Sequence, residues 1–528
     1  TYPMARFLHS DLPPPPPKSF TQDGRPPSVG DSLLYTGSVK RFLKNRLVSF
    51  NHSNAHLMMG ILQGVKRGAE VVPKSYVHAS MVKHRAALTK TVDYDPEKAF
   101  LTKGKLDKFY QNFPKSQPRL HEASVSASLH APRSMGGARE YLRRHYHYRE
   151  DTDLTNVEQA VEASISTVLL EMYEERPGVV HEIHGRPTYN KISELRDDIY
   201  LPLPRTELNY IKTRTMDEID VEVHAVLEPL KVRLITKGEP LKYWFSRFFQ
   251  KELWNHLGRY PQFVLTSRTV REQDIYDLID RERRLGVDTM FEDWVSGDYS
   301  AATDSLKGGY TRMAFEAALE RSGLKDYDKE ILRRVLYNQI LHYPKSQNRQ
   351  HDLDPTYQTT GQLMGSTLSF PILCALNLIA YQKALERRLG RRVGIRALPV
   401  LVNGDDILFR CDQELYDLWI GEISELGFEL SLGKNYRSKR FLMINSTGYL
   451  WTGGGRVDHV PYLNVGLLTG QSKLGGQRAN DQALPIWGTY NDIIHGAMDP
   501  LRAHRRFIHY NREDITRFTM NGRFSPFI

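Results

Sequence analysis

The stretch LVNGDDILFR, at 401–410, sets Asp405 and Asp406 side by side between two apolar runs. Two adjacent carboxylates cannot simply be buried, because an uncompensated charge in an apolar interior is very costly. Yet LPVLV before them and ILF after them read as short buried strands. Asn403-Gly404 is a strong signal for a tight hairpin turn between those strands. The acids then stand at or just beyond a hairpin tip, presented from a rigid base into a cleft. Like charges so close repel, and a nearby cation would stabilise them. A donor set made only of oxygens favours Mg²⁺, with Mn²⁺ as the alternative. Gly-Asp-Asp alone is weak evidence, since average residue usage produces it by chance in about one chain in ten of this length. It needs partners.

WVSGDYSAATDSLKGGY, at 294–310, supplies one. Trp294 and Val295 suggest a strand that ends at Asp298. After Asp304 the pattern turns helical, with Tyr310, Met313, Ala314 and Ala317 on one face. Asp304 falls near a helix start, where an acid also serves as an ordinary cap. A third segment, GQLMGSTLSFPILCALN at 361–377, opens with a loop carrying Gly361 and Gly365. Ser369 is placed to cap the helix that follows, and Pro371 is tolerated in its first turn. Leu368, Ile372, Ala375, Leu376 and Ile379 give that helix an apolar face, while Asn377 has no evident structural need. In KVRLITKGEP, at 231–240, Lys231 and Arg233 fall on one face of a strand and Lys237 in step with them. Such a row of cations suits a triphosphate, and equally a solvated strand face.

The bulk composition is permissive. Over 528 residues, Lys and Arg outnumber Asp and Glu by 72 to 62, a surplus consistent with a polyanionic partner. Only Cys374 and Cys411 are present, which excludes a disulfide framework and argues against a cysteine zinc site. The longest apolar stretch, 369–381, is short for a membrane span, and no signal pattern opens the chain. The expectation is a soluble intracellular protein with no integral membrane segment. LPPPPPKSF near the N-terminus reads as a stiff polyproline tether or a ligand for a proline-reading domain. YLRRHYHYRE, at 141–150, is either an RNA-facing mix of aromatics and arginines or a solvated helix face. Residues 153–175 carry the pattern of an amphipathic core helix.

In their order, GDYSAATD, GQLMGSTLSFP and NGDDILF resemble motifs A, B and C of viral RNA-dependent RNA polymerases. KVRLITKG precedes them where motif F stands, and GKNYRSKRFLMINS follows at motifs D and E. The nearest likeness is to the ourmia-like (botourmiavirus) and narnavirus group, with RNA-phage replicases more distant. The resemblance implies an α+β right hand, with a palm of antiparallel sheet and helices. It implies an N-terminal extension and outer fingers over 1–150 and fingers with motif F over 151–290. Palm motif A would span 291–307, a fingers insertion 308–362, palm motifs B to E 363–446 and a mostly helical thumb 447–528. By the same resemblance, Asp298, Asp405 and Asp406 are the catalytic metal ligands. Lys231, Arg233 and Lys237 steer the triphosphate, and Asp304 tests the sugar. Gly365 flexes in the motif B loop, Ser369 and Asn377 join the nucleotide-binding set with Asn377 as a reader of the sugar, and Lys434 matches the motif D lysine. Implied partners are an RNA template and product strand and nucleoside triphosphates, with host factors and an unspecified oligomeric state. The host cytoplasm is the expected site, with the mitochondrion as the alternative.

Two features depart from the common pattern. The motif A acids are six apart rather than five, and Leu373 stands four residues after Ser369 where many relatives have Asn. A reverse transcriptase shares the paired acids but usually has an aromatic before them, where this chain has Asn403 and Gly404. A non-catalytic RNA-binding protein would explain the charge but not the ordered acids.

Overall fold

The structure, a computed structural model, describes residues 37–68, 75–92, 95–118, 123–146 apart from 125, and 219–344 apart from 229 and 230. It further describes 353–464 apart from 432–434, 453 and 454, and parts of 468–520. The proline run, the 153–175 helix and Lys434 lie outside the described residues.

Helices α1 (His52–Gly68) and α2 (Ser75–Leu88) precede the strand pair β1 (Asp220–Glu228) and β2 (Lys231–Gly238). Helix α3 (Glu272–Leu285) leads to β3 (Asp293–Gly297), β4 (Tyr299–Ser300), the one-turn α4 (Ala302–Ser305) and α5 (Gly308–Leu319). Strands β5 (Ile340–His342) and β6 (Thr356–Tyr357) come before the long α6 (Ser369–Leu389). Then follow β7 (Val400–Asn403), β8 (Asp406–Cys411), α7 (Gln413–Leu426), β9 (Glu429–Leu430) and β10 (Tyr436–Ser438). Strands β11 (Phe441–Ile444), β12 (Thr447–Thr452) and β13 (Arg456–Val460) precede α8 (Pro500–Met520).

The fold is a mix of helices and largely antiparallel sheet, the α+β class that the motifs implied. Its centre is a sheet of order β10-β3-β8-β7 with every pairing antiparallel. The middles of β3, β7 and β8 are mostly apolar because both faces of the sheet are covered. Val295, Val400, Val402, Ile407 and Phe409 join the core of α6 and α7. Trp294, Leu401 and Leu408 face the other way, onto α3 and the β11-β12-β13 sheet. The usual alternation along an antiparallel strand sorts residues between two cores instead of between core and water. Arg410 on β8 accordingly points into the second core, between Trp294 and Trp451 at 5.7 Å from each ring centre, and its Nη1 donates to Glu282 at 2.7 Å.

A second sheet, of order β2-β1-β5-β6, carries the basic strand. Helix α1 packs on the third sheet through Ala55, Met58 and Met59 against Phe441, Leu450 and Val460. The segment after 447 therefore opens with two strands, not with helices. Tyr449 and Trp451 on β12, and Val457 on β13, suit a pleated, half-buried surface. Among the described residues no helix is long and apolar enough to cross a membrane.

Candidate active site

The acids of the hairpin stand where β7 turns into β8. Asn403 pairs with Asp406, so the two-residue turn is Gly404-Asp405, one residue later than Asn403-Gly404 suggested. Gly404 has φ +68°, and no non-glycine residue of the turn shares that region. A single positive φ at the first central position matches a II′ hairpin, which places glycine there. Any side chain at Gly404 would also meet the Phe370 ring at 2.8 Å. Asp405 thus lies exposed at the tip and Asp406, half-buried, begins β8.

Asp298 arrives from the neighbouring strand. Gly297 pairs with Ile407, so carrying the register one residue further sets Asp298 beside Asp406 at the same sheet end. The adjacent Tyr299 phenol is raised well above its ordinary range, first by burial and then by the charges of Asp405 and Asp298. Asp298, Asp405 and Asp406 line one cavity of about 520 Å³, with Lys231 and Arg233 of β2 on its wall.

Helix α6 fixes the turn from behind. Asn377 is fully buried, accepts from the Tyr299 hydroxyl at 2.7 Å and donates Nδ2 to the Gly404 carbonyl at 3.0 Å. One turn earlier Cys374 Sγ accepts from Gly404 N–H at 3.2 Å. Burial pushes the Cys374 thiol up to about 12, so it stays a neutral acceptor. Asn377 therefore has a structural task, and it is not on the cavity wall. The third sheet closes the other side. The tip of β11–β12 is Asn445-Ser446, both with positive φ (51° and 61°), as a I′ turn requires. Asn403 Nδ2 donates to Asn445 Oδ1 at 2.9 Å, and Met443 N–H to Ser296 Oγ at 2.9 Å. Asn445 and Ser446 reach the cavity, and so do Met59, Leu62 and Gln63 of α1.

The remaining sequence-predicted residues divide. Lys237 pairs with Glu222, directly opposite on β1, at 2.8 Å and is not on the cavity wall. The strand's cations are in step, as the alternation implied, but only Lys231 and Arg233 reach the cleft. Arg233 Nε also donates to Glu228 at 3.2 Å, and its Nη1 approaches Met364 Sδ at 3.8 Å. Ser369 does not cap α6. The N-cap position is Leu368, and the Ser369 hydroxyl donates to Gln362 Oε1 at 2.7 Å while the residue borders the cavity. Gly365 donates its N–H to Thr236 Oγ1 at 3.1 Å, and an added Cβ would come within 1.8 Å of the Thr236 carbonyl oxygen. Its glycine is demanded by close approach to β2, not by φ.

Asp304 is not a cap either, since the N-cap of α4 is Ala301, itself in the left-handed region at φ 49°. The Asp304 carboxylate accepts from Thr303 Oγ1 at 3.1 Å. Burial raises its pKa to about 6, against the pull of Thr303, Lys231 and Lys83. At 141–150, the described part is a helix that ends at Tyr146, in which Arg144 pairs with Glu140 at 2.8 Å.

Among the described residues no three His, Cys, Asp or Glu side chains converge into a ready-made metal cage. An open set of one or two carboxylates is nonetheless what Mg²⁺ takes when substrate phosphates and water complete its shell. Three carboxylates and two cations line one cavity, an arrangement able to take a divalent cation together with a phosphate group. The chain is similar to the RNA-dependent RNA polymerase of Ourmia melon virus (isolate Melon/Iran/VE9), at 36% identity over 261 residues. The match covers 48% of this chain and 30% of that protein, so the chain spans less than a third of the curated relative's length. No protein-family model matches it. Among solved structures, the RNA-dependent RNA polymerase of a human picorbirnavirus is similar with a TM-score of 0.48 and 11% identity, over 90% of this chain and 81% of that one. An insertion-loop deletion mutant of such a polymerase gives a TM-score of 0.47 and 12% identity, over 92% and 90%.

Proposed function

We propose that this chain is an RNA-directed RNA polymerase that copies a positive-strand viral RNA genome by nucleotidyl transfer. One observation carries the reading. Asp298 and Asp405, more than a hundred residues apart, end neighbouring strands at one cavity, with Lys231 and Arg233 across from them. The sequence likeness to the ourmiavirus polymerase supports it.

Asp298 and Asp405 would hold divalent cations, Mg²⁺ or Mn²⁺, with Asp406 assisting. Bound there, such cations lower the pKa of a strand's 3′-hydroxyl and neutralise a departing pyrophosphate. Arg233 and Lys231 hold the triphosphate and take up charge developing on it. Asp304, ionised, accepts from a ribose hydroxyl. Lys434 keeps the role its motif implies, as proton donor to pyrophosphate. Base pairing with the template selects the nucleotide, while the protein reads duplex shape, 2′-hydroxyls and phosphates. The central sheet with α6 and α7 would be the palm, and the β1–β2 region the fingers. The thumb would follow 447. Replication in the host cytoplasm, with host proteins as further partners, belongs to the same reading.

The test is incorporation by purified protein on a defined RNA template, with and without primer and divalent metal. Metal-dependent use of ribonucleotides is expected. Asp405→Asn should abolish it and leave RNA binding in place. A preference for deoxynucleotides would mark a reverse transcriptase. Binding without synthesis at any metal would mark an RNA-binding protein.

A further inference from the structure

We infer that Gln63, on helix α1 of the N-terminal region, binds the nucleotide whose 3′-hydroxyl attacks. That nucleotide is the last one of a growing strand, or the first one when a strand starts without a primer. The inference rests on reading the cleft as a polymerase site, and it adds to that site a residue from outside the polymerase motifs.

Two walls meet at the three acids. Lys231 and Arg233 of β2, with Met364 of the loop before α6, form one. Helix α1 and the β11–β12 turn form the other, through Met59, Leu62, Gln63, Met443, Asn445 and Ser446. The first wall belongs to the second sheet and is cationic. The second belongs to the third sheet and, among the described residues, carries no charge. Phosphates settle on the cations. Displacement at a phosphate sets the attacking and leaving oxygens roughly in line. With the leaving pyrophosphate held by Lys231 and Arg233, the attacking strand end enters against the uncharged wall.

Gln63 is firmly placed on that wall. Ala55, Met58 and Met59 seat α1 on Phe441, Leu450 and Val460. Leu62 and Gln63 follow Met59 by three and four residues, so they continue its face one turn on, and both are half-buried. Gln63 Nε2 donates to Met443 Sδ at 3.9 Å. The Met443 N–H in turn donates to Ser296 Oγ at 2.9 Å, two residues before Asp298. One side chain therefore separates Gln63 from the strand that carries the acid.

The chemistry of the wall suits a ribose and its phosphodiester. A thioether is a weak acceptor, so the Gln63 amide exchanges it for a ribose hydroxyl or a phosphate oxygen at little cost. Asn445, the other amide there, already accepts from Asn403 at 2.9 Å. Met59 and Leu62 give the sugar an apolar surface. An uncharged wall does not compete with Lys231 and Arg233 for the triphosphate. A glutamine that only filled space between α1 and the third sheet would show none of the following charge dependence.

The experiment follows extension of a primed RNA template by the full chain and its Gln63→Ala, Gln63→Glu and Gln63→Lys variants. KM for the primed template and KM for ATP are read separately, with a melting temperature for each variant. Gln63→Ala should raise KM for the primed template about two- to tenfold, the worth of one neutral hydrogen bond, and leave KM for ATP unchanged. Gln63→Glu sets a carboxylate against the strand's phosphates and should raise it further. Gln63→Lys should bring it below the alanine value. If the wild type makes RNA only without a primer, the same order is expected in KM for the initiating nucleotide. Wild-type values in Gln63→Ala and Gln63→Glu would overturn the inference. So would a rise confined to KM for the incoming ATP, or an equal loss in Gln63→Glu and Gln63→Lys that tracks a lowered melting temperature. A wild-type chain that makes no RNA with or without primer would sink the polymerase reading and this inference with it, whereas an active wild type with silent variants sinks this inference alone.

Discussion

The Asn377 side chain joins the two acid-bearing segments, accepting from the Tyr299 hydroxyl at 2.7 Å and donating to the Gly404 carbonyl at 3.0 Å. Tyr299 follows Asp298 and Gly404 precedes Asp405, so one buried amide sets the distance between the two carboxylates. The Tyr299 ring is itself stacked on Phe428 at 4.6 Å, which leaves it little freedom to follow a lost partner.

Asn377→Leu should therefore damage both folding and chemistry. It leaves a buried hydroxyl and a buried carbonyl unpaired, at about 1–3 kcal/mol each. Urea denaturation should show a loss of about 2–6 kcal/mol for the two together. Tyr299→Phe orphans only the amide oxygen and should cost less. Equal stability of Asn377→Leu and wild type would remove the amide from this role.

Gly365→Ala should act through β2. The new methyl would overlap the Thr236 carbonyl, and strand or loop must shift to admit it. Overpacking of this kind costs about 1–3 kcal/mol. Because Thr236 lies between Arg233 and Lys237 on the basic strand, nucleotide KM should rise along with the loss of stability. A variant with wild-type melting and wild-type KM would show that the loop yields freely.

Lys237 and Arg233 should separate in kinetics although they share a strand face. Lys237 is spent on Glu222, so Lys237→Ala should change nucleotide KM by less than about twofold and stability by under about 1 kcal/mol. Arg233 reaches the cavity, and Arg233→Ala should raise KM about tenfold, the worth of one charged hydrogen bond. The reverse order in steady-state incorporation would return Lys237 to the nucleotide path.

The hairpin was legible because its signals are local: two apolar runs, a glycine turn and acids that could not be buried. The turn's centre was not, since Asn403-Gly404 and Gly404-Asp405 differ only in which residue takes the positive φ. Asn377 stood out only as a polar residue on an apolar helix, which pointed to the nucleotide and not to the turn, and Cys374 carried no signal. On a helix as apolar as α6, a residue that holds the turn cannot be told from one that fills the core. The glutamate opposite Lys237 was equally hidden, because strand register is a long-range property. The β12–β13 strands left a trace in the aromatic and β-branched content of 447–460, which the expectation of a helical thumb overrode.

Asp304 ties stability to pH in a direction opposite to most surface carboxylates. Burial raises it to about 6, from an ordinary value of 3.8. Between those values the folded state holds the proton more tightly than the unfolded chain does. Its contribution to stability is thus complete below the lower value and is lost as pH rises through about 6. The nucleotide site requires the form that folding disfavours, because only the ionised carboxylate is purely an acceptor. Discrimination of ATP from dATP should therefore climb with pH, with its midpoint near about 6. Asp304→Asn should flatten that profile, lower the discrimination, and be more stable than wild type above the midpoint. Incorporation ratios measured across the range, with melting temperatures at each pH, test both halves. A wild-type ratio that stays level through about pH 6 would separate Asp304 from the sugar.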